Sequence, residues 1–249
     1  MRWSAPITLT GLASTALLFI AGCSHRSRTV YTPPPPGIAQ PAPGPETAEG
    51  NVPPSPNPPA SAGTESRTPI YSEVGMASWY GPPYNRRRGA NGEVYDQNAV
   101  SAAHRTLPMG SLIRVTNLQT GQTATMRVTD RGPFVPDRVI DLSVGAAKTL
   151  GVWRPGTARV RIDVLEAPKP IAQGGRWCVQ IGAFSSEHEA VKLQEHLERK
   201  YQTANVIEFS GPTGHWVRIR PAGDDRSRAG EIAKELSPKE GEAYLVRLD

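Results

Sequence analysis

No helix, sheet or core survives where every third residue is proline, and 13 of this chain's 25 prolines fall between Pro33 and Pro69. Their neighbours are Ala, Ser, Gly and Thr, with almost nothing apolar to bury. Such a composition cannot offset the entropy lost on ordering, so the stretch is expected to stay disordered, extended and partly polyproline II. At ~3.1 Å per residue it would span on the order of 100 Å. Folded structure must lie beyond it, and the 249 residues then divide into 1–22, a tether over 23–74, a module over 75–166, a linker over 167–173 and a module over 174–249.

The first 22 residues carry one cation, Arg2, and a mostly apolar run from Ile7 to Ile20 that ends Ile20-Ala21-Gly22-Cys23. That run is shorter than the ~20 residues needed to cross a bilayer and reads as a signal-peptide core. Small residues before Cys23 resemble a bacterial lipobox, which implies diacylation and palmitate at a mature N-terminal cysteine. Ser24 follows, with no Asp to retain the product in the inner membrane. The resemblance therefore implies an outer-membrane lipoprotein facing the periplasm, its anchor made stable by more than one acyl chain. Cys178 is the only other cysteine, so no intrachain disulfide is expected and the folded parts must rely on their cores.

Between Gly75 and Glu166, β-type runs occur at Met76–Tyr80, Ser111–Leu118, Thr123–Thr129, Arg138–Leu142 and Thr157–Leu165. Thr120-Gly121 marks a hairpin turn, and 143–150 suits one short helix. Short strands with little helix favour a barrel over a sandwich of comparable length, although periodicity alone does not separate them. Acids, histidine and glycines fall at the turns, as in a loop-borne site on a β scaffold. This module holds 12 Lys or Arg against 7 Asp or Glu, whereas the C-terminal module has 11 against 12. The net charge of +5 thus concentrates here, which points to a polyanionic ligand. Arg86, Arg87 and Arg88 are the densest cationic run, readable as part of a groove or, more ordinarily, as a solvated loop face.

Four motifs follow one another in this module: Gly75-Met76-Ala77-Ser78-Trp79-Tyr80-Gly81, Ala90-Asn91-Gly92-Glu93, Ala102-Ala103-His104 and Asp130-Arg131-Gly132-Pro133. In this order they resemble the catalytic domain of the rare lipoprotein A family of septal-ring lytic transglycosylases. The resemblance implies a six-stranded double-psi β-barrel that cuts the MurNAc-GlcNAc bond of peptide-free peptidoglycan strands, endolytically or exolytically, leaving 1,6-anhydro-MurNAc. It also implies catalytic roles for Asp130, Glu93 and His104. Asp130 ends a β-type run where a side chain is held rigidly yet faces a cleft, although an Asp there also commonly caps a turn. Glu93 after Asn-Gly is otherwise ordinary loop chemistry, and a lone histidine is usually structural. Asp141 is expected to support an arginine, Arg131 or Arg138, or to tune Asp130 from behind. Trp79, Tyr80 and Arg131 are candidate substrate contacts, the aromatics being equally at home in a core. Tyr84-Asn85-Arg86-Arg87-Arg88-Gly89 departs from the Phe-His-Gly-Arg-x-Thr usual in the family, which bears on loop contacts. No metal or cofactor is implied, since His188 and His196 lie far from the other histidines and no cysteine cluster exists.

From Gly174 the pattern changes. Trp177–Phe184 alternates as a strand; Ser186 and Glu189 read as a capping box; Ala190, Leu193, Leu197 and Tyr201 share a helical face. Strand-like Val206–Phe209 and Trp216–Ile219, a helix near Arg228–Leu236 and a strand over Ala243–Leu248 complete a βαββαβ, ferredoxin-like α+β order. Val179-Gln180-Ile181-Gly182-Ala183-Phe184 and Trp216-Val217-Arg218-Ile219-Arg220-Pro221 resemble the SPOR domain, which binds peptide-free glycan at division septa. By that resemblance Gln180, Ala183, Trp216, Arg218 and Val246 contact glycan. Alternation places Trp216 and Arg218 on one face, an aromatic platform beside a cation. RNA-binding sheets share the βαββαβ order, but export and the lack of paired aromatic motifs argue against a nucleic-acid partner. Septal division proteins are further candidate partners. Two alternatives remain: a non-catalytic, expansin-like glycan binder, and a glycoside hydrolase using Glu93 and Asp130. Trp216→Ala is expected to weaken septal recruitment and to spare the chemistry.

Overall fold

The structure is a computed structural model and describes residues 67–236 and 242–249. The signal peptide, Cys23 and nearly all of the tether lie outside the described residues.

Six strands close into a barrel: β1 (Tyr71–Tyr80), β2 (Ser101–His104), β3 (Leu112–Asn117), β4 (Thr123–Asp130), β5 (Arg138–Ser143) and β6 (Ala158–Glu166). Their order around the wall is β1-β5-β2-β4-β3-β6, with β1–β5 and β2–β4 parallel and the remaining pairs antiparallel. Alternation fills the interior with Ile113 and Val115, Met126 and Val128, Ile140 and Leu142, and Val160, Ile162 and Val164. Helix α1 (Val144–Thr149), capped by Ser143 Oγ accepting from the Ala146 amide, adds Ala146 and Ala147 to this core.

Two strands differ from expectation. β1 starts five residues before Met76 because Tyr71–Ala77 pairs along β6, even where Val74 is left half-exposed. β2 gave no β-type run in the sequence. All four of its residues are buried, so no polar face marks a two-residue period.

The second domain has β7 (Trp177–Phe184), α2 (Glu187–Lys200), β8 (Asn205–Gly211), β9 (Gly214–Arg220), α3 (Arg226–Glu235) and β10 (Ala243–Arg247). The sheet order β10-β7-β9-β8 is the ferredoxin-like arrangement. Trp177, Val179 and Ile181 of β7, with Val217 and Ile219 of β9, pack against Ala190 and Leu197 of α2 and Ala229 and Ile232 of α3. The expected capping box does not form: Ser186 occupies the N-cap of α2 but its side chain accepts no amide bond. Asp225 does cap α3, accepting from the Arg228 amide at 2.7 Å.

The opposite face of this sheet is not solvent-facing. Cys178, Tyr244 and Val246 are buried against Phe134 of the β4–β5 connection. Phe134 meets the Trp216 ring at 5.1 Å and the Tyr244 ring at 5.7 Å. The Arg247 amide donates to the Arg105 carbonyl (2.9 Å), the Met109 amide to the Asp249 carbonyl (3.1 Å), and the Arg105 guanidinium lies over Tyr244. The sheet is therefore docked on the barrel wall.

Candidate active site

Strict alternation along β4 would send Asp130 inward with Met126 and Val128. Between β2 and β4, however, Ala102 pairs with Val128 whereas Ala103 pairs with Asp130. Thr129 is the extra residue of a bulge, and it turns Asp130 to the outer face. Ala103 also pairs with Asp141 on β5. Asp130, Ala103 and Asp141 thus form a row across three adjacent strands, roughly 10 Å long at the Cα atoms. Ala103 is buried against Tyr80 and Tyr95, and all three residues of the row line one cleft of about 690 Å³.

Asp130 Oδ1 accepts from the amides of Arg131 (2.8 Å) and Ala90 (2.9 Å), and no described residue bonds Oδ2. Burial pushes the Asp130 carboxyl up from the usual aspartate range. Those two amides and Arg131 oppose the rise, and Asp141 adds to it. Asp141 is also raised by burial, against Arg138, Ser78 and Arg105. Ser78 Oγ donates to Asp141 and accepts from Arg138 Nη1 at 2.5 Å, so Asp141 is held by a two-step relay from the guanidinium. Tyr80 stacks on Tyr95 (4.4 Å) and meets Tyr84 edge-on (5.6 Å), forming an aromatic flank of the cleft. The opposite wall is the docked sheet, with Gln180, Trp216, Arg218 and Val246. Across both walls five arginines (87, 88, 131, 138 and 218) face two aspartates.

A family model described as lytic transglycolase matches residues 72–162, and the SPOR domain model matches 173–247. Over 164 residues the chain is 42% identical to the endolytic peptidoglycan transglycosylase RlpA of Campylobacter jejuni, covering 56% of this chain and 60% of that protein. The RlpA of Vibrio cholerae is 38% identical over 162 residues, covering 62% of this chain and 61% of that one. The chain is thus similar to these RlpA proteins over its lytic transglycolase and SPOR segments. Its matches span less than two thirds of these relatives' length. Among solved structures, an expansin of Clavibacter michiganensis aligns with 59% of this chain and 78% of its own at 16% identity and a TM-score of 0.32.

The expected trio is not assembled. Asp130 is in the cleft. Glu93 is exposed and does not line it; its carboxylate accepts from Asn91 Nδ2 (2.7 Å) while its amide donates to Asn91 Oδ1 (3.0 Å). The Asn-Gly turn instead serves the site through its neighbour, the Ala90 amide. His104 follows Ala103 on β2 and so points the other way. Its Nδ1 accepts from the amides of Thr106 (3.2 Å) and Leu107 (3.1 Å), which leaves the proton on Nε2 to donate to Glu73 (2.8 Å). That is a buried bracing role.

Arg131 borders the cleft, but its guanidinium is spent on the carbonyls of His104, Leu107 and Asp249 at 2.8–2.9 Å. Burial and the nearby Arg247 pull it down to about 10, and it stays charged at neutral pH. Trp79 is outside the cleft, stacked at 5.7 Å on Trp153. Ala183 does not line it either, being buried beside Gly214. Of the two arginines considered for Asp141, Arg138 is its partner. Arg87 and Arg88 are exposed and also line the cleft, so both readings of the arginine run apply. Ser78 and Phe134 were missed; each stands inside a quoted motif or directly after one, which was the available signal.

Proposed function

We propose that the chain is an exported lytic transglycosylase acting on peptide-free peptidoglycan strands, with Asp130 as its acid and base. One observation carries this reading: a half-buried aspartate with a raised pKa, bonded to protein through one oxygen only, opens onto an arginine-rich cleft. A proton donor must remain protonated near neutral pH, and burial beside a second carboxylate favours that form. The printed function of the family relatives supports the same reading.

In the proposed step Asp130 protonates the glycosidic oxygen as its bond to the muramic C1 breaks. The C6 hydroxyl of the same sugar bonds C1, and its proton passes to the Asp130 carboxylate. The ionised form is thereby consumed within the cycle, and no water is used. The nucleophile is intramolecular and already positioned, which lowers the entropic part of the barrier. Asp141, held by Ser78 and Arg138, acts as a positioning residue that keeps the Asp130 proton in place. Cys23 as the lipid anchor to the outer membrane, and the tether's reach toward the wall at division septa, complete the proposal.

Mass spectrometry of digested denuded glycan tests it. Anhydro-muramic ends are expected, and Asp130→Asn should slow their release by at least ~100-fold. Reducing ends would mean hydrolysis, unchanged strands would mean binding alone, and full turnover by the Asn variant would remove Asp130 from the chemistry.

A further inference from the structure

The sheet of the second domain presents its glycan-type face to the barrel, not to solvent. Gln180, Trp216 and Arg218 line the same cleft as Asp130 and Asp141. We propose, resting on the glycan-cleaving reading above, that this sheet is a wall of the active site. Arg218 then reads the lactyl carboxylate of the strand being cut, so that selection for peptide-free glycan is made at the point of cleavage.

Arg218 is prepared for such a ligand. Its guanidinium lies 4.7 Å from the Phe209 ring centroid and donates Nη2 to Gln180 Oε1 at 2.9 Å, which fixes the planar head. Its Nε is buried without a hydrogen-bond partner. On the barrel side Arg138 shows the same feature: Nη1 is committed to Ser78 and a buried Nε has no hydrogen-bond acceptor. Those two Nε atoms have no accessible surface, so the donors open to a ligand are Arg218 Nη1 and Arg138 Nη2, neither in a hydrogen bond among the described residues, and a carboxylate or sugar hydroxyl between the walls would meet them. A cleft of about 690 Å³ falls within the range of small-ligand sites and suits a disaccharide-scale segment. A stem peptide converts the lactyl carboxylate to an amide. That removes the charge an arginine recognises and adds bulk where the walls are close.

The test uses the full chain carrying Asp130→Asn, labelled with nitrogen-15 and titrated with a denuded tetrasaccharide of alternating N-acetylglucosamine and N-acetylmuramic acid. The Gly132 and Val135 amides on the barrel and the Trp216 indole N–H on the sheet should shift along one saturation curve with one Kd. Shifts confined to one wall, or two curves with different Kd, would overturn the shared cleft. Amidating the lactyl carboxylates should weaken binding about tenfold, the worth of one charge-assisted contact. Arg218→Ala should abolish that preference, and Arg218→Lys should restore part of it; an undiminished preference in the Ala variant would sink the assignment to Arg218. If the sheet of the Ala variant fails to fold, the Lys variant, which keeps the charge but loses the planar fork, must still show a smaller preference. These are binding measurements, so a failure to find anhydro ends would count against the proposed function and leave this inference standing or falling by itself.

Discussion

Asp130 and Asp141 are both displaced toward their protonated forms by burial, and Asp141 adds to the rise at Asp130. For a general acid this sets the alkaline side of the pH profile, because activity is lost as Asp130 deprotonates. The direction follows from the sign: replacing Asp141 by Asn removes a negative charge, lowers the Asp130 pKa, and should move the alkaline limb of kcat/KM to lower pH. A purely structural Asp141 would reduce the rate equally at every pH. Measuring the profile for wild type and Asp141→Asn separates the two. Asp130 ends a β-type run before Arg-Gly-Pro, a place that a turn-capping Asp fills as readily, and the family resemblance of that motif is what singled it out. Glu93 was expected as a second catalytic carboxylate by family resemblance, although a Glu after Asn-Gly is otherwise ordinary loop chemistry. In the fold that turn closes on itself through Asn91, and the amide of Ala90 reaches the site instead.

At the scale of single elements, alternation holds along β7 from Trp177 to Ile181 and along β9 and β10, and breaks where the β7–β9 register shifts between Gly182 and Phe184. The β4 bulge at Thr129 is different, because it appears only when β4 is paired with β2. Backbone geometry also matters at β7. Gly182 has φ +136, and a Cβ there would sit 2.9 Å from Trp216 Cε3 and 3.0 Å from the His215 carbonyl oxygen. Ring and backbone cannot both yield cheaply. Gly182→Ala is therefore expected to destabilise the protein by about 1–3 kcal/mol, seen as a lower denaturation midpoint, and to weaken glycan binding by displacing Trp216. An unchanged midpoint would contradict this close packing. Helix α2 carries a parallel lesson: Ser186 and Glu189 satisfy the spacing of a capping box, yet Ser186 Oγ accepts no bond.

In the whole molecule, barrel and sheet meet through Phe134, Arg105 and Arg131. Phe134 leaves the Asp130-Arg131-Gly132-Pro133 segment and packs between Trp216 and Tyr244. Half-burying such a ring contributes about 1–2 kcal/mol to docking. Phe134→Ala should raise the KM for short denuded glycans several-fold and increase amide exchange at Arg247, which bonds Arg105 across the junction. Unchanged exchange at Arg247 would mean that the remaining hydrogen bonds hold the domains together unaided. The docked arrangement also revises the expectation for Trp216→Ala. Trp216 borders the cleft that holds Asp130, so its loss should reach the chemistry as well as recruitment.

Strand alternation and the surplus of arginine were enough to separate two modules and to mark the first as β-rich and basic, because these depend on neighbours a few residues apart in the chain, whereas the choice of a double-psi barrel rested on the family resemblance of the ordered motifs. Which carboxylate stands beside Asp130, where His104 points and what covers the glycan-type face were not accessible that way. Each depends on pairing between segments far apart: Ala103 set between Asp130 and Asp141, one residue of bulge turning a side chain from core to cleft, and Phe134 reaching a ring more than eighty residues along. Such contacts are fixed by closure of the barrel and docking of the sheet, and local sequence carries no record of either.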